Sequence, residues 1–215
     1  FLHLWHHSNL AQVLEDTLEV QQLSGSDWLV DLGGQVPLGV SAAEMEHVLQ
    51  VQGRVLFAGP VELALWPELP PLEQAQGQFN FSEIGIHQVD IQAQWLGGAV
   101  RITGGLGAPT EQLYIQAHPN VADIKAFYNL LALGGEGDFA LEVRLFLDEQ
   151  ERLVIAAQSD LYGLVLDLPA PLQKAHAHSR WPMQLEWVFV DAAANKNQLY
   201  FALQDRLSGL TMLDF

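Results

Sequence analysis

Histidines are the first candidates for chemistry: His6 and His7 stand close behind His3, and His176 lies two residues from His178. Either group could offer imidazole nitrogens to a metal ion. No Glu or Asp stands at the H-E-x-x-H spacing of a zinc-binding helix, and solvated loop histidines account for both groups more simply. With no cysteine in the chain, thiolate nucleophiles, disulfides and zinc–thiolate sites are excluded. The 26 acidic residues could supply a glycosidase acid and base, since those need to be close only in space, but no spacing singles out a pair. No G-x-S-x-G elbow, G-x-G-x-x-G loop or Walker loop joins a strand to a helix. Gly104-Gly105-Leu106-Gly107, with Pro109 behind it, reads as a hairpin connection. Six tryptophans could stack on sugars, with Trp66 and Trp181 beside prolines at strand ends, but Trp28, Trp95 and Trp187 fall in phase with apolar neighbours, which favours burial. The sequence therefore assigns no catalytic residue, no cofactor and no metal.

The elements that would position any site are mostly strands. At 215 residues and 49% hydrophobic content the chain can bury a real core, as one large β domain or two small ones. Asp and Glu number 26 against 9 Lys and Arg, a net charge of -17, which argues against binding nucleic acid or an anionic membrane through a basic patch. Ser8 can cap a short helix carrying Leu10, Val13, Leu14 and Leu18 on one stripe. Asp27–Leu32 then reads as a strand, Gly33-Gly34 as a turn, and Gln35–Val40 as extended. Between Ser41 and Val51 a capping box competes with strand alternation. Strands are expected over Val48–Phe57 and over Val61–Trp66, the latter closed by Pro67, Pro70 and Pro71. Gln78–Phe81 and Val89–Trp95 alternate cleanly, Gly97-Gly98 turns the chain into Val100–Ile102, and Gln112–Ala117 is another strand. Val121–Leu131 has helical spacing and is expected to stop at Gly134-Gly135.

A pattern then recurs. Asp138–Val143 repeats the strand Asp27–Leu32 after a helix and a glycine break, and Gly209 stands to Gly98 as Asp138 stands to Asp27. Leu69-Pro70-Pro71-Leu72 is matched by Leu168-Pro169-Ala170-Pro171-Leu172, placing those prolines at a sheet rim. The reading is two divergent units, residues 1–109 and 110–215, each a short helix followed by about five antiparallel strands and stacked edge to edge. Phe139, Leu141, Val143, Leu145 and Leu147 share one strand face, as do Leu185, Trp187 and Phe189, and again Leu199, Phe201 and Leu203. These faces could close on one another in a β-sandwich. Alternatively they could form an open, curved apolar surface.

The stretch Ser159–Lys174, SDLYGLVLDLPAPLQK, resembles a segment of the AsmA-like family, and within it of the YhdP type, where S-D-L-x-G-L leads into L-P-x-P-L-x-K. The SNLAQVL helix, Gly25–Leu38, GQFNFSEIGI and QWLGGAVRI follow in the family's order, so the resemblance spans nearly the whole chain. Two features depart from it: Ala175-His176-Ala177-His178 replaces a Pro/Ala/Gly stretch, and the membrane anchor is missing, which would make this an interior piece. The resemblance implies a mainly β fold, a curved antiparallel sheet of two repeating β-groove units, in a periplasmic portion of an inner-membrane-anchored protein. It implies a non-catalytic bridge carrying phospholipid between inner and outer membranes, with acyl chains and adjacent repeats as partners and no nucleic acid. The groove-lining candidates are Ile91, Trp95, Phe139, Leu141, Val143, Leu145, Trp187 and Phe189.

Overall fold

The structure, a computed structural model, describes residues 22–24, 28–35, 50–64, 69–108, 110–130, 134–167, 170, 172–191, 196–204 and 207–214. Among the described residues, fourteen strands and one helix follow in chain order: β1 (Gln22–Ser24), β2 (Trp28–Gln35), β3 (Gln50–Ala64), β4 (Leu72–Ser82), β5 (Gly85–Trp95), β6 (Gly98–Leu106), β7 (Gln112–Ala117), α1 (Val121–Phe127), β8 (Gly134–Glu136), β9 (Leu141–Leu147), β10 (Leu153–Ser159), β11 (Val165–Asp167), β12 (Met183–Asp191), β13 (Lys196–Leu203) and β14 (Leu207–Asp214). The chain is mainly β, and its large antiparallel sheet is curved without closing into a barrel. The order is β1-β3-β4-β5-β6-β7-β9-β10-β12-β13-β14, with β2 pairing β3 beyond β1, while β8 and β11 form a separate two-stranded ladder. The ladder between β6 and β7 joins the strands on either side into one sheet, with one apolar cluster reaching from Val55 to Leu153.

Alternation decides which face is buried. On β6, Val100, Ile102 and Leu106 are buried while Ala99 and Arg101 face water; on β5, Val89, Ile91 and Ala93 are buried between exposed Asp90, Gln92 and Gln94. Two β-bulges shift this alternation. Leu72 and Ala75 on β4, and Ile86 and Val89 on β5, are three residues apart yet share the apolar face, because an extra residue lies between them in each ladder. Gln74 and Gln88 absorb the bulges at φ 54° and 48°. Strand alternation alone would have turned Leu72 and Ile86 outward.

Several local expectations are corrected. The two strands expected around Pro60 are one long strand, β3, whose pairing to β4 is interrupted between Phe57 and Val61. Proline, which has no N–H to give a ladder, sits at that interruption. Gly33-Gly34 makes no turn: β2 runs straight through both, paired to Gln52 and Val51. The helix capped by Asn120, whose side chain accepts from the Ala122 amide, stops at Phe127, and Gly134 and Gly135 belong to β8 opposite Asp167 and Leu166. A side chain at Gly134 would strike the Asp167 Cβ, so the close ladder itself requires glycine there. Trp28, expected in the core, is 45% exposed on an edge strand, whereas Trp181 is buried. Gly98 opens β6 at a hairpin while Gly209 lies mid-strand opposite Phe201. The expected Ser8 helix, His3, His6, His7, Val36–Leu49, Trp66, Pro67, Pro169 and Pro171 lie outside the described residues.

Candidate functional site

Register places the apolar side chains of successive strands directly opposite one another. One transverse row runs Trp28, Phe57, Gly77, Ile91, Ile102 and Ile115, and continues through Val143, Ala157, Leu185, Phe201 and Gly209. No polar side chain interrupts it. Seven of the eight expected groove residues lie on this face: Ile91 and Trp95 on β5, Leu141, Val143 and Leu145 on β9, and Trp187 and Phe189 on β12. Phe139 precedes β9 and packs instead against a second cluster of Val121, Leu161, Leu164 and Trp181.

The face is not uniform along its length. On β3 to β7 it is filled by its own side chains, with Val55, Phe57, Val61, Leu72, Ile91, Val100 and Ile102 buried. From β9 onward Leu141, Val143, Ile155, Leu185, Leu199 and Phe201 are only half-buried, although Leu145 and Leu153 remain buried. Trp187 and Phe189 stack face to face, with centroids 5.4 Å apart and planes at 2°. Trp95 anchors the closed half, its indole N–H donating to the Pro70 carbonyl at 3.2 Å. Flat apolar surface is thus available on β9 to β13, and little of it on β3 to β7.

The described residues between Ser159 and Trp181 pack at one end of this half-open face, against Met183 and Leu203. The Ser159 hydroxyl donates to the Ala140 carbonyl and accepts the Leu161 amide. The Asp160 carboxylate accepts the Tyr162 amide and pairs with Arg180, while its carbonyl accepts the Trp181 amide. Lys174, 1% exposed, donates from Nζ to the carbonyl oxygens of Leu164, His176 and Ala177. Burial lowers its pKa from the usual lysine value, and the nearby Asp160 charge partly opposes that shift. Leu161, Leu164 and Trp181 fill the space beneath, against Phe139, Met183 and Leu203. The described residues of the motif form a structural plug. Sequence reading placed its prolines at a sheet rim and did not find the lysine's role. A lone cation in a stretch otherwise rich in Leu and Ala was the available signal.

A second constellation was also missed. Ser82 Oγ lies 2.8 Å from His87 Nε2, and His87 Nδ1 lies 2.8 Å from the Glu111 carboxylate. The order matches a nucleophile, base and acid chain. Ser82 Oγ also accepts the Ile84 amide and Glu111 accepts the Ala108 amide, so the chain ties the β4–β5 turn to the β6–β7 connection. His87 and Glu111 are far apart in sequence, and only the bulge at Gln88 aims His87 across β6.

His176 and His178 are exposed, and His178 Nδ1 lies 3.1 Å from the Tyr162 hydroxyl. Among the described residues no group of His, Asp and Glu side chains is arranged to hold a metal ion, and no helix is long and apolar enough to cross a membrane. No known protein family, curated protein or solved structure matches the sequence.

Proposed function

We propose that this chain is a segment of an AsmA-like, YhdP-type bridge in the Gram-negative periplasm, part of an inner-membrane-anchored protein, and that its apolar face carries phospholipid between inner and outer membranes. The observation that carries the reading is the uninterrupted non-polar row across a sheet that does not close on itself. An acyl chain exposed to water loses about 0.8 kcal/mol per methylene, so two chains of about 16 carbons need cover worth on the order of 20 kcal/mol. On β9 to β13 the half-buried apolar rungs, from Val143 to Phe201, offer similar cover from one position to the next. That lets a lipid move along them without a deep trap, and no reactive residue takes part. The half-open β9 to β13 stretch, with Val143, Leu185, Trp187 and Phe201, is the proposed contact surface. Adjacent repeats of the parent chain would extend it at both ends.

Photo-crosslinking residues at Leu185, Trp187 or Phe201 in the parent protein should capture phospholipid in cells, while the same probe at Gln184 or Glu186, on the opposite face, should not. Capture from the polar face with none from the apolar face would overturn the proposal. Native mass spectrometry of the purified chain supplies the second readout, with co-purified phospholipid expected.

A further inference from the structure

The face opposite the apolar row carries two polar rows beside an apolar one of Phe146, Val154 and Val188, and two depressions open on it. The first, about 470 Å³, lies over β7, β9, β10, β12 and β13. Its shape follows from one transverse row: Tyr114, Arg144, Ala156, Glu186 and Tyr200 stand directly opposite one another on those strands. Ala156 reaches least far of the five, so the sheet dips at the middle and rises at both tyrosines. The next row, Gln116, Glu142, Gln158 and Gln184, adds three amides and a carboxylate along one side.

We propose that this trough binds a linear, uncharged oligosaccharide. Tyr114 and Tyr200 are 46% and 42% exposed, and with strands about 4.8 Å apart they stand roughly 19 Å from one another along the sheet. Two rings at the ends of a span that a few sugar units cover can each stack on the C–H face of a pyranose. Between them Arg144 and Glu186 present planar, two-pronged groups suited to neighbouring hydroxyls, and the glutamine amides both donate and accept. The charge balance selects the class. Two carboxylates against one guanidinium disfavour a polyanion, while Arg144 beside the central Ala156 and the Gln158 amide held on Glu142 at 2.7 Å disfavour a polycation. The second depression, about 480 Å³, shares Gln116 with the first and continues the same chemistry through Gln76, Gln92, Gln94 and Arg101. The side chains of the two polar rows stand on the face opposite the apolar row, although Ile115, Val143, Ala157 and Leu185 of that row also line the depression, so lipid and sugar would meet opposite faces of the same strands.

Calorimetry and saturation-transfer NMR on the full chain, with chitotetraose, cellotetraose and maltotetraose at millimolar concentration, test the proposal. One of these should bind, about tenfold or more weakly after Tyr114→Ala or Tyr200→Ala, and not measurably after Ala156→Trp, which fills the dip. Circular dichroism and urea unfolding confirm that these variants of a solvated face keep the fold. Failure of all three saccharides to bind overturns the proposal. So does binding that survives the three substitutions, or binding of a sulfated oligosaccharide in place of the neutral ones.

Discussion

The Lys174 ammonium lies 2.5 Å from the Leu164 carbonyl oxygen and 2.9 Å from that of His176, at the centre of the plug that joins β10 to β12. The same residue's backbone pairs with Leu166, so one lysine holds both the main chain and the interior of the connection. Replacing it with methionine keeps most of the volume but removes the ammonium donor from the Leu164 carbonyl, while the His176 and Ala177 carbonyls keep the Ser179 and Gly163 amides. We expect Lys174→Met to lower stability by about 2–3 kcal/mol in urea unfolding.

The same lysine predicts a pH dependence. Its folded pKa lies below the ordinary 10.5, so between the two values the unfolded chain binds more protons. Stability should rise with pH across that alkaline window, and this contribution should be lost as pH falls through the folded value. Unfolding measured over that range should show the rise in the native chain and not in Lys174→Met.

At the β9–β10 turn, burial raises the Asp148 pKa, but hydrogen bonds from the Arg152 side chain and from the Arg152 and Gln150 amides, with the Arg152 charge, outweigh it and leave the carboxyl below 3.8. Its stabilisation is present above that value and fades as pH drops through the lowered one. Asp148→Asn should cost about 1 kcal/mol at neutral pH and flatten the acid limb of the stability profile.

The apolar face should respond unequally to truncation. Ile102→Ala, in the filled half, should cost about 3 kcal/mol. Phe201→Ala, on the half-buried side, should cost distinctly less. Equal losses in chemical denaturation would mean that β9 to β13 are as tightly filled as β3 to β7.

Gln88 occupies a left-handed conformation at φ 48°, where glycine is comfortable and glutamine is not. Gln88→Gly should therefore be neutral or stabilising by up to about 1 kcal/mol. Deleting Gln88 should instead unfold the chain, because Ile86 and Val89 could no longer share a face. Circular dichroism of the two variants separates these outcomes.

How much of this was readable beforehand depends on the range of the cause. Val89–Trp95 and Gln112–Ala117 were legible because strand alternation is local, and so were the shared faces of Leu141, Val143 and Leu145 and of Trp187 and Phe189. The first half of β4 and the start of β5 were not, because the bulges at Gln74 and Gln88 break the alternation and nothing in a glutamine announces positive φ. The exposure of Trp28 was hidden because it follows from the place of β2 at the edge of the sheet, not from its own pattern. Phe139 looked in phase with β9 yet belongs to the plug, whose interior is assembled from α1, β11 and the segment around Trp181. The tyrosine and arginine row across β7 to β13 is invisible in sequence, since it exists only through the pairing of five strands.

Among the described residues, β14 pairs only with β13, and β1 and β2 only with β3. A barrel fixes its own strand number through closure; this sheet has no such constraint. Each added hairpin would lengthen it by about 10 Å, two strand spacings, without altering its cross-section. Span is therefore a quantity that gene duplication can adjust in steps while every existing side chain keeps its neighbours.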